Sequence, residues 1–96
     1  MSITSFRCPE TAGIWSGRAS RRLPADIQNT ARRKLRMLHN AQTLDDLLVP
    51  PGNRLEALRG SRAGSFSIRI NDQWRICFCW QDGKVNDIEI VDYHRG

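Results

Sequence analysis

The chain has 96 residues, 15 Lys plus Arg against 10 Asp plus Glu, and a formal charge of +5 with a pI near 9.9. A chain of this size can bury roughly 60 to 70% of its unfolded surface in one core, so a single domain over residues 1–96 is expected and a second does not fit. Of the 15 basic residues 13 are arginine, whose guanidinium fork matches phosphate geometry and stacks on bases, so polyanions and nucleic acid in particular are the favoured partners.

The start, Met1 to Phe6, has no charged segment followed by an apolar one, and no stretch approaches the roughly 20 apolar residues of a membrane span, so a cytoplasmic protein with no membrane partner is expected. Ile3 to Arg7 alternates apolar and polar residues like a short initiating strand, ended by Cys8-Pro9. Pro9 to Gly17 reads as a short helix with Pro and Glu in its first turn and Gly17 as its stop. Arg18 to Arg22 is a basic connector, read as solvated loop. The main helix is placed at Pro24 to His39, where Ile27, Ala31, Leu35 and Leu38 form an apolar stripe and Arg32, Arg33, Lys34 and Arg36 a basic outer face. Thr43-Leu44-Asp45-Asp46 is the pattern of a capping box opening a short helix that ends near Leu48. Val49 to Asn53 is expected to be extended, because two prolines remove amide donors.

Beyond this break the chain turns to strands: Arg54 to Leu58, Ser65 to Ile70, Trp74 to Trp80 and Val85 to Asp92, with Asp82-Gly83 as a tight hairpin turn. The fold class that follows is α+β, an antiparallel sheet with N-terminal helices packed on one face. Alternation sets Phe66, Ile68 and Ile70 against Ser67 and Arg69, and Trp74, Ile76, Phe78 and Trp80 against Arg75, Cys77 and Cys79. With the helices on the aromatic side, Arg69 and Arg75 share the open face, and the preceding loop adds Arg59 and Arg62. These arginines either hold phosphate or pair with acids such as Asp72 and Glu89. In the last strand Ile88 and Ile90 belong to the core, which puts Asp92 and His94 in their register and Tyr93 with the arginines; a strand ending near Val91 would release all three. Cys8, Cys77 and Cys79 have no paired ligand spacing and read as reduced, largely buried thiols, so neither a metal nor a cofactor is expected.

Three stretches carry a family resemblance: Pro51 to Gly60 with Arg62-Ala63-Gly64, Ser67 to Ile76 with its Asn71-Asp72-Gln73-Trp74-Arg75-Ile76 core, and Glu89 to His94. Together with Ser5-Phe6-Arg7 and the basic long helix they resemble the HigB branch of the RelE-type bacterial toxins, the plasmid-maintenance killer proteins. The resemblance implies a RelE-like fold and the toxin of a type II toxin-antitoxin pair, a metal-independent endoribonuclease that enters the ribosomal A site and cuts translated mRNA. It further implies a HigA-like helix-turn-helix antitoxin and, through that complex, repression at operator DNA. Cutting RNA without a metal requires a base for the ribose 2′-hydroxyl, cations for the phosphoryl oxygens and an acid for the leaving oxygen. On the resemblance, Arg75 is the residue for transition-state charge, supplemented by Arg69, Arg59 and Arg62. Asp92, Tyr93 and His94 match the C-terminal catalytic cluster, His94 for proton transfer and Tyr93 to orient or stack on a base. Some members have histidine where this chain has Glu56, which is either the general base or a partner of Arg59, so base and acid stay unassigned. Two other functions are consistent with the sequence: a catalytically weak component of an operator-binding complex, and a gyrase-inhibiting toxin of the ParE type.

Overall fold

The structure, a computed structural model, describes residues 2–62 and 64–92. Its elements run β1 (Ser2–Ile3), α1 (Pro9–Trp15), α2 (Ala25–Asn40), β2 (Glu56–Ala57), β3 (Ser65–Arg69), β4 (Trp74–Gln81) and β5 (Lys84–Asp92), with short 3-10 turns at Leu44–Leu48, Pro51–Asn53 and Gly60–Arg62. The strands form one sheet of order β1-β5-β4-β3-β2. The expected α+β fold is present. The sheet is mixed rather than wholly antiparallel because β1 runs parallel to β5, pairing Ser2 with Lys84 and Ile3 with Val85. The expected strand over Ile3 to Arg7 follows β5 further along, through a bridge from Phe6 to Ile88, but it is interrupted between the two contacts.

The first helix ends as its glycine dictates. Gly17 adopts φ +93, and the amides of Gly17 and Arg18 return to the carbonyls of Ile14 and Gly13 at 3.0 and 2.8 Å, a Schellman closure. In α2 the stripe Ile27, Ala31, Leu35 and Leu38 is buried. It shares a core with Ile68, Ile76, Phe78, Ile88 and Ile90, so the helices cover the apolar side of the sheet. The outer face of α2 is less free than its charge suggests. Arg32 crosses to α1, where Nε donates to the Ile14 carbonyl at 2.9 Å and Nη2 to that of Arg18 at 3.2 Å. The Lys34 ammonium donates to Asn53 Oδ1, and Asn53, itself fully buried, donates to the Leu47 carbonyl at 3.1 Å. Two cations of the helix therefore brace α1 and the Pro51 turn, while Arg33 and Arg36 remain exposed.

The capping box forms, with Asp46 Oδ2 accepting the Gln42 and Thr43 amides at 2.8 and 3.3 Å. The expected extended run Val49 to Asn53 is only half correct. Val49 and Pro50 are extended, but Pro51–Asn53 closes a 3-10 turn, because Pro51 sits at the first position where its fixed φ suits a helical turn and its missing amide costs nothing. Arg54 leaves that turn at φ 45, which shortens the expected strand Arg54 to Leu58 to Glu56–Ala57.

A bulge lies where β4 and β5 pair. Cys77 faces Glu89 but Cys79 faces Asn86, so β5 carries one extra residue, and Asp87 takes φ 52 within it. That residue resets the parity of β5. Val85 precedes the bulge and Ile88 and Ile90 follow it, yet all three point into the core.

Candidate RNA-facing site

The side of the sheet away from the helices is built in rungs. Glu56, Ser67, Cys77 and Glu89 lie opposite one another across β2, β3, β4 and β5, and the next rung carries Arg69, Arg75 and Val91. Arg69 and Arg75 are direct cross-strand partners, so the shared face read from alternation is correct. Two like charges in that position repel, and each is matched by an acid. Arg69 pairs with Asp72, and Arg75 Nη2 lies 3.8 Å from Glu56 Oε1.

The face is not open at Arg75, contrary to expectation. Arg75 is 7% exposed, because the chain from Arg54 to Glu56 passes over it. Its Nε donates to Ser67 Oγ at 2.8 Å, and its Nη2 donates to the carbonyls of Ser67 at 3.2 Å and of Arg54. A guanidinium taken out of water needs its donors satisfied, and here they are met by oxygens that also fix its plane. Glu56 is exposed, so it stands at the solvent edge of this arrangement, and its charge partner is Arg75 rather than Arg59.

Arg62, in the turn before β3, reaches across to Glu89 on β5, Nη2 to Oε1 at 2.9 Å. Arg7 approaches the same oxygen at 3.8 Å. Cys77 lies beneath these groups with no exposure, and burial pushes its thiol up against the opposing pull of Arg62. Arg59 is exposed at the rim.

The C-terminal cluster divides. β5 ends at Asp92, as expected, and not near Val91 as the alternative had it, because Asp92 pairs with Trp74. Its side chain therefore lies on the Trp74 side of the strand, opposite in parity to Arg75. It is exposed at the sheet end, accepting from Gln73 Nε2 at 3.1 Å. Tyr93 and His94 lie outside the described residues.

Two members of the site were not singled out from sequence. Ser67 was placed on the arginine side by alternation, but its bond to Arg75 depends on the β3–β4 register. Arg7 belongs to the Ser5-Phe6-Arg7 part of the resemblance but has no role there, since only the parallel pairing of the first segment with β5 brings it near Glu89. Among the described residues no group of three or more His, Cys, Asp or Glu is placed to hold a metal ion, and no helix is long and apolar enough to cross a membrane.

The family profile of the RelE-like toxin of type II toxin-antitoxin systems, HigB, matches residues 15–94, which include every part of this face except Arg7. The chain belongs to the HigB-like toxin family. It is 49% identical over 63 residues to toxin HigB-1 of Vibrio cholerae serotype O1, an alignment spanning 66% of each chain. Among solved structures, Escherichia coli YafQ superposes with a TM-score of 0.64 at 14% identity, covering 96% of this chain and 92% of YafQ. A YoeB/ParE toxin from Agrobacterium tumefaciens gives 0.56 at 16% identity, covering 98% and 100%. At such identities the likeness is one of fold, and the HigB-like chain has the same small α+β architecture as these toxins.

Proposed function

We propose that this HigB-like chain is the toxin of a type II pair and a ribosome-dependent endoribonuclease, an mRNA interferase that cuts translated mRNA in the A site and arrests growth. The observation that carries the proposal is Arg75, a buried guanidinium locked by Ser67 and the Arg54 carbonyl beside the exposed carboxylate of Glu56. A fixed cation in a partly desolvated setting stabilises charge that develops in a transition state more than a mobile one in water. In the reaction the ribose 2′-oxygen bonds to the adjacent phosphorus as the bond to the 5′-oxygen breaks, leaving a cyclic phosphate and a free 5′-hydroxyl. Arg75 meets the growing charge on the phosphoryl oxygens, with Arg69, Arg59 and Arg62 holding the strand.

The proton leaving the 2′-hydroxyl and the proton reaching the 5′-oxygen are assigned to the set Glu56, Asp92, Tyr93 and His94. No step of this scheme calls on a metal or an organic cofactor. The partners are a HigA-like helix-turn-helix antitoxin, the 70S ribosome with its mRNA, and operator DNA through the antitoxin complex, all in the cytoplasm.

The test is induction of the chain without its antitoxin, followed by mapping of new mRNA 5′ ends. Cuts within translated frames that vanish in Arg75→Ala and in His94→Ala support the proposal. Growth arrest with intact mRNA overturns it, and gyrase-dependent DNA breaks would point to a ParE-type target instead.

A further inference from the structure

The face holds a second cationic group, of which the cleavage scheme uses only Arg62, as one of the arginines that hold the strand. Arg7, from the segment before α1, and Arg62, from the turn before β3, converge on one oxygen of Glu89 at 3.8 and 2.9 Å. The two guanidiniums are outermost, with side chains 54% and 38% exposed, and the carboxylate is beneath them at 18%. Counted by themselves, two guanidiniums and one carboxylate carry one positive charge.

Its position relative to Arg75 is fixed by register. Glu89 lies opposite Cys77, and Val91 opposite Arg75. The carboxylate that carries the triad is thus the diagonal neighbour of Arg75 across β4 and β5, about 7–8 Å away. That spacing is comparable with the distance between neighbouring phosphates along an extended RNA strand. Buried Cys77 lies between the two groups, its thiol raised by burial and by Glu89 and drawn the other way by Arg62, Arg75 and Arg7.

We propose that Arg7 and Arg62, carried on Glu89, form a second phosphate subsite that holds the backbone phosphate next to the scissile one, with Glu89 as the anion that occupies it until RNA arrives. The inference rests on the ribonuclease reading, which assigns the scissile phosphate to Arg75. The guanidiniums are the exposed members of their pairs, so each can share its donors with an anion arriving from the solvent side, and phosphate offers the guanidinium the same forked geometry as a carboxylate. Arg7 is then a binding residue supplied by the N-terminal segment, and Glu89 sets the affinity of the subsite through competition.

The experiment uses ribosomes programmed with an mRNA whose A-site riboses are 2′-O-methylated for binding, and the same mRNA unmodified for cleavage. Arg7→Gln is expected to weaken binding about five- to tenfold near 0.1 M salt and to lower the dependence of log Kd on log salt by about 0.7, the share of one phosphate on a single strand. The same loss should appear as a higher toxin concentration for half-maximal cleavage. Glu89→Gln is expected to act in the opposite direction, tightening binding two- to fivefold. A methylphosphonate beside the scissile linkage, placed on each side in turn, should weaken the wild-type chain on one side only and weaken Arg7→Gln less there, since only Arg62 remains to lose its contact. Equal binding by Arg7→Gln and wild type, or weakening by both variants as loss of a purely structural ion pair would give, overturns the subsite. Wild-type chain that binds programmed ribosomes without cutting mRNA would instead overturn the ribonuclease reading, and weaker neutralisation by antitoxin with unaltered ribosome binding would assign Arg7 to the antitoxin interface.

Discussion

Arg75 donates through Nε to the Oγ of Ser67 at 2.8 Å, and the two residues are 7% and 0% exposed. The serine is the residue that makes a buried guanidinium tolerable on this strand. Ser67→Ala would leave a buried charged donor without its acceptor, a loss of about 1–3 kcal/mol in stability. Arg75→Lys should cost activity as heavily as Arg75→Ala, since a single ammonium cannot reach the Ser67 hydroxyl and the Arg54 carbonyl while also facing phosphate. Urea denaturation reads the first effect, and quantified in-frame mRNA cuts read the second. A fully active Arg75→Lys would show that charge alone, without the planar fork, is sufficient.

Arg69 differs from Arg75 in that its acid is a surface residue. Asp72 is 94% exposed, so Asp72→Asn should shift stability by no more than about 1 kcal/mol. It should also make Arg69 more available to phosphate, raising affinity for programmed ribosomes at low salt and losing that advantage as salt screens the charge. Binding compared at two ionic strengths checks this. A gain that persists at high salt would assign the effect to something other than the released charge.

The residues that were legible in sequence are those governed by local rules. The α2 stripe, the stop at Gly17, the Thr43–Asp46 box and the shared face of Arg69 and Arg75 each depend on spacing within one element or one hairpin. What stayed hidden depends on register between distant segments. The cover over Arg75 comes from Arg54 at φ 45, a left-handed residue that no propensity would place there. The approach of Arg7 to Glu89 needs the parallel pairing of the first segment with β5, a long-range match that alternation within the segment does not encode. The parity change in β5 arises at a bulge, and Val85, Ile88 and Ile90 look inconsistent as a strand until the extra residue is known.

Gly13 within α1 and Gly17 just past its end should respond to the same substitution with opposite signs. Gly17 adopts φ +93, where a Cβ is strained whatever the space around it, so Gly17→Ala should lose about 1 kcal/mol. Gly13 is helical, and an added Cβ would meet only Arg18 Cβ at 4.0 Å, an ordinary contact. Gly13→Ala should therefore gain roughly 0.5–1 kcal/mol from helix propensity. Thermal melts of the two variants beside wild type decide it, and a loss at both positions would mean that α1 is packed more tightly than its geometry indicates.

Alkaline pH separates buried Cys77 from half-buried Lys34, with opposite signs. Burial, the largest influence on Cys77, raises its thiol above the ordinary 9.0, so the unfolded chain ionises first. Between 9.0 and the raised value the unfolded state binds fewer protons, and stability falls as pH rises through that window. Burial also dominates at Lys34, with Arg33 and Arg69 adding to it, and holds its ammonium below the ordinary 10.5. There the unfolded state binds more protons between the lowered value and 10.5, so this group adds stability as pH rises. Denaturant unfolding followed from neutral pH upward should accordingly show a shallower alkaline loss in Cys77→Ala than in wild type. In Lys34→Met the loss should be steeper. Identical pH slopes in wild type and Cys77→Ala would mean that the thiol ionises alike in the folded and unfolded chain, which is incompatible with a side chain sealed beneath Arg62 and Glu89.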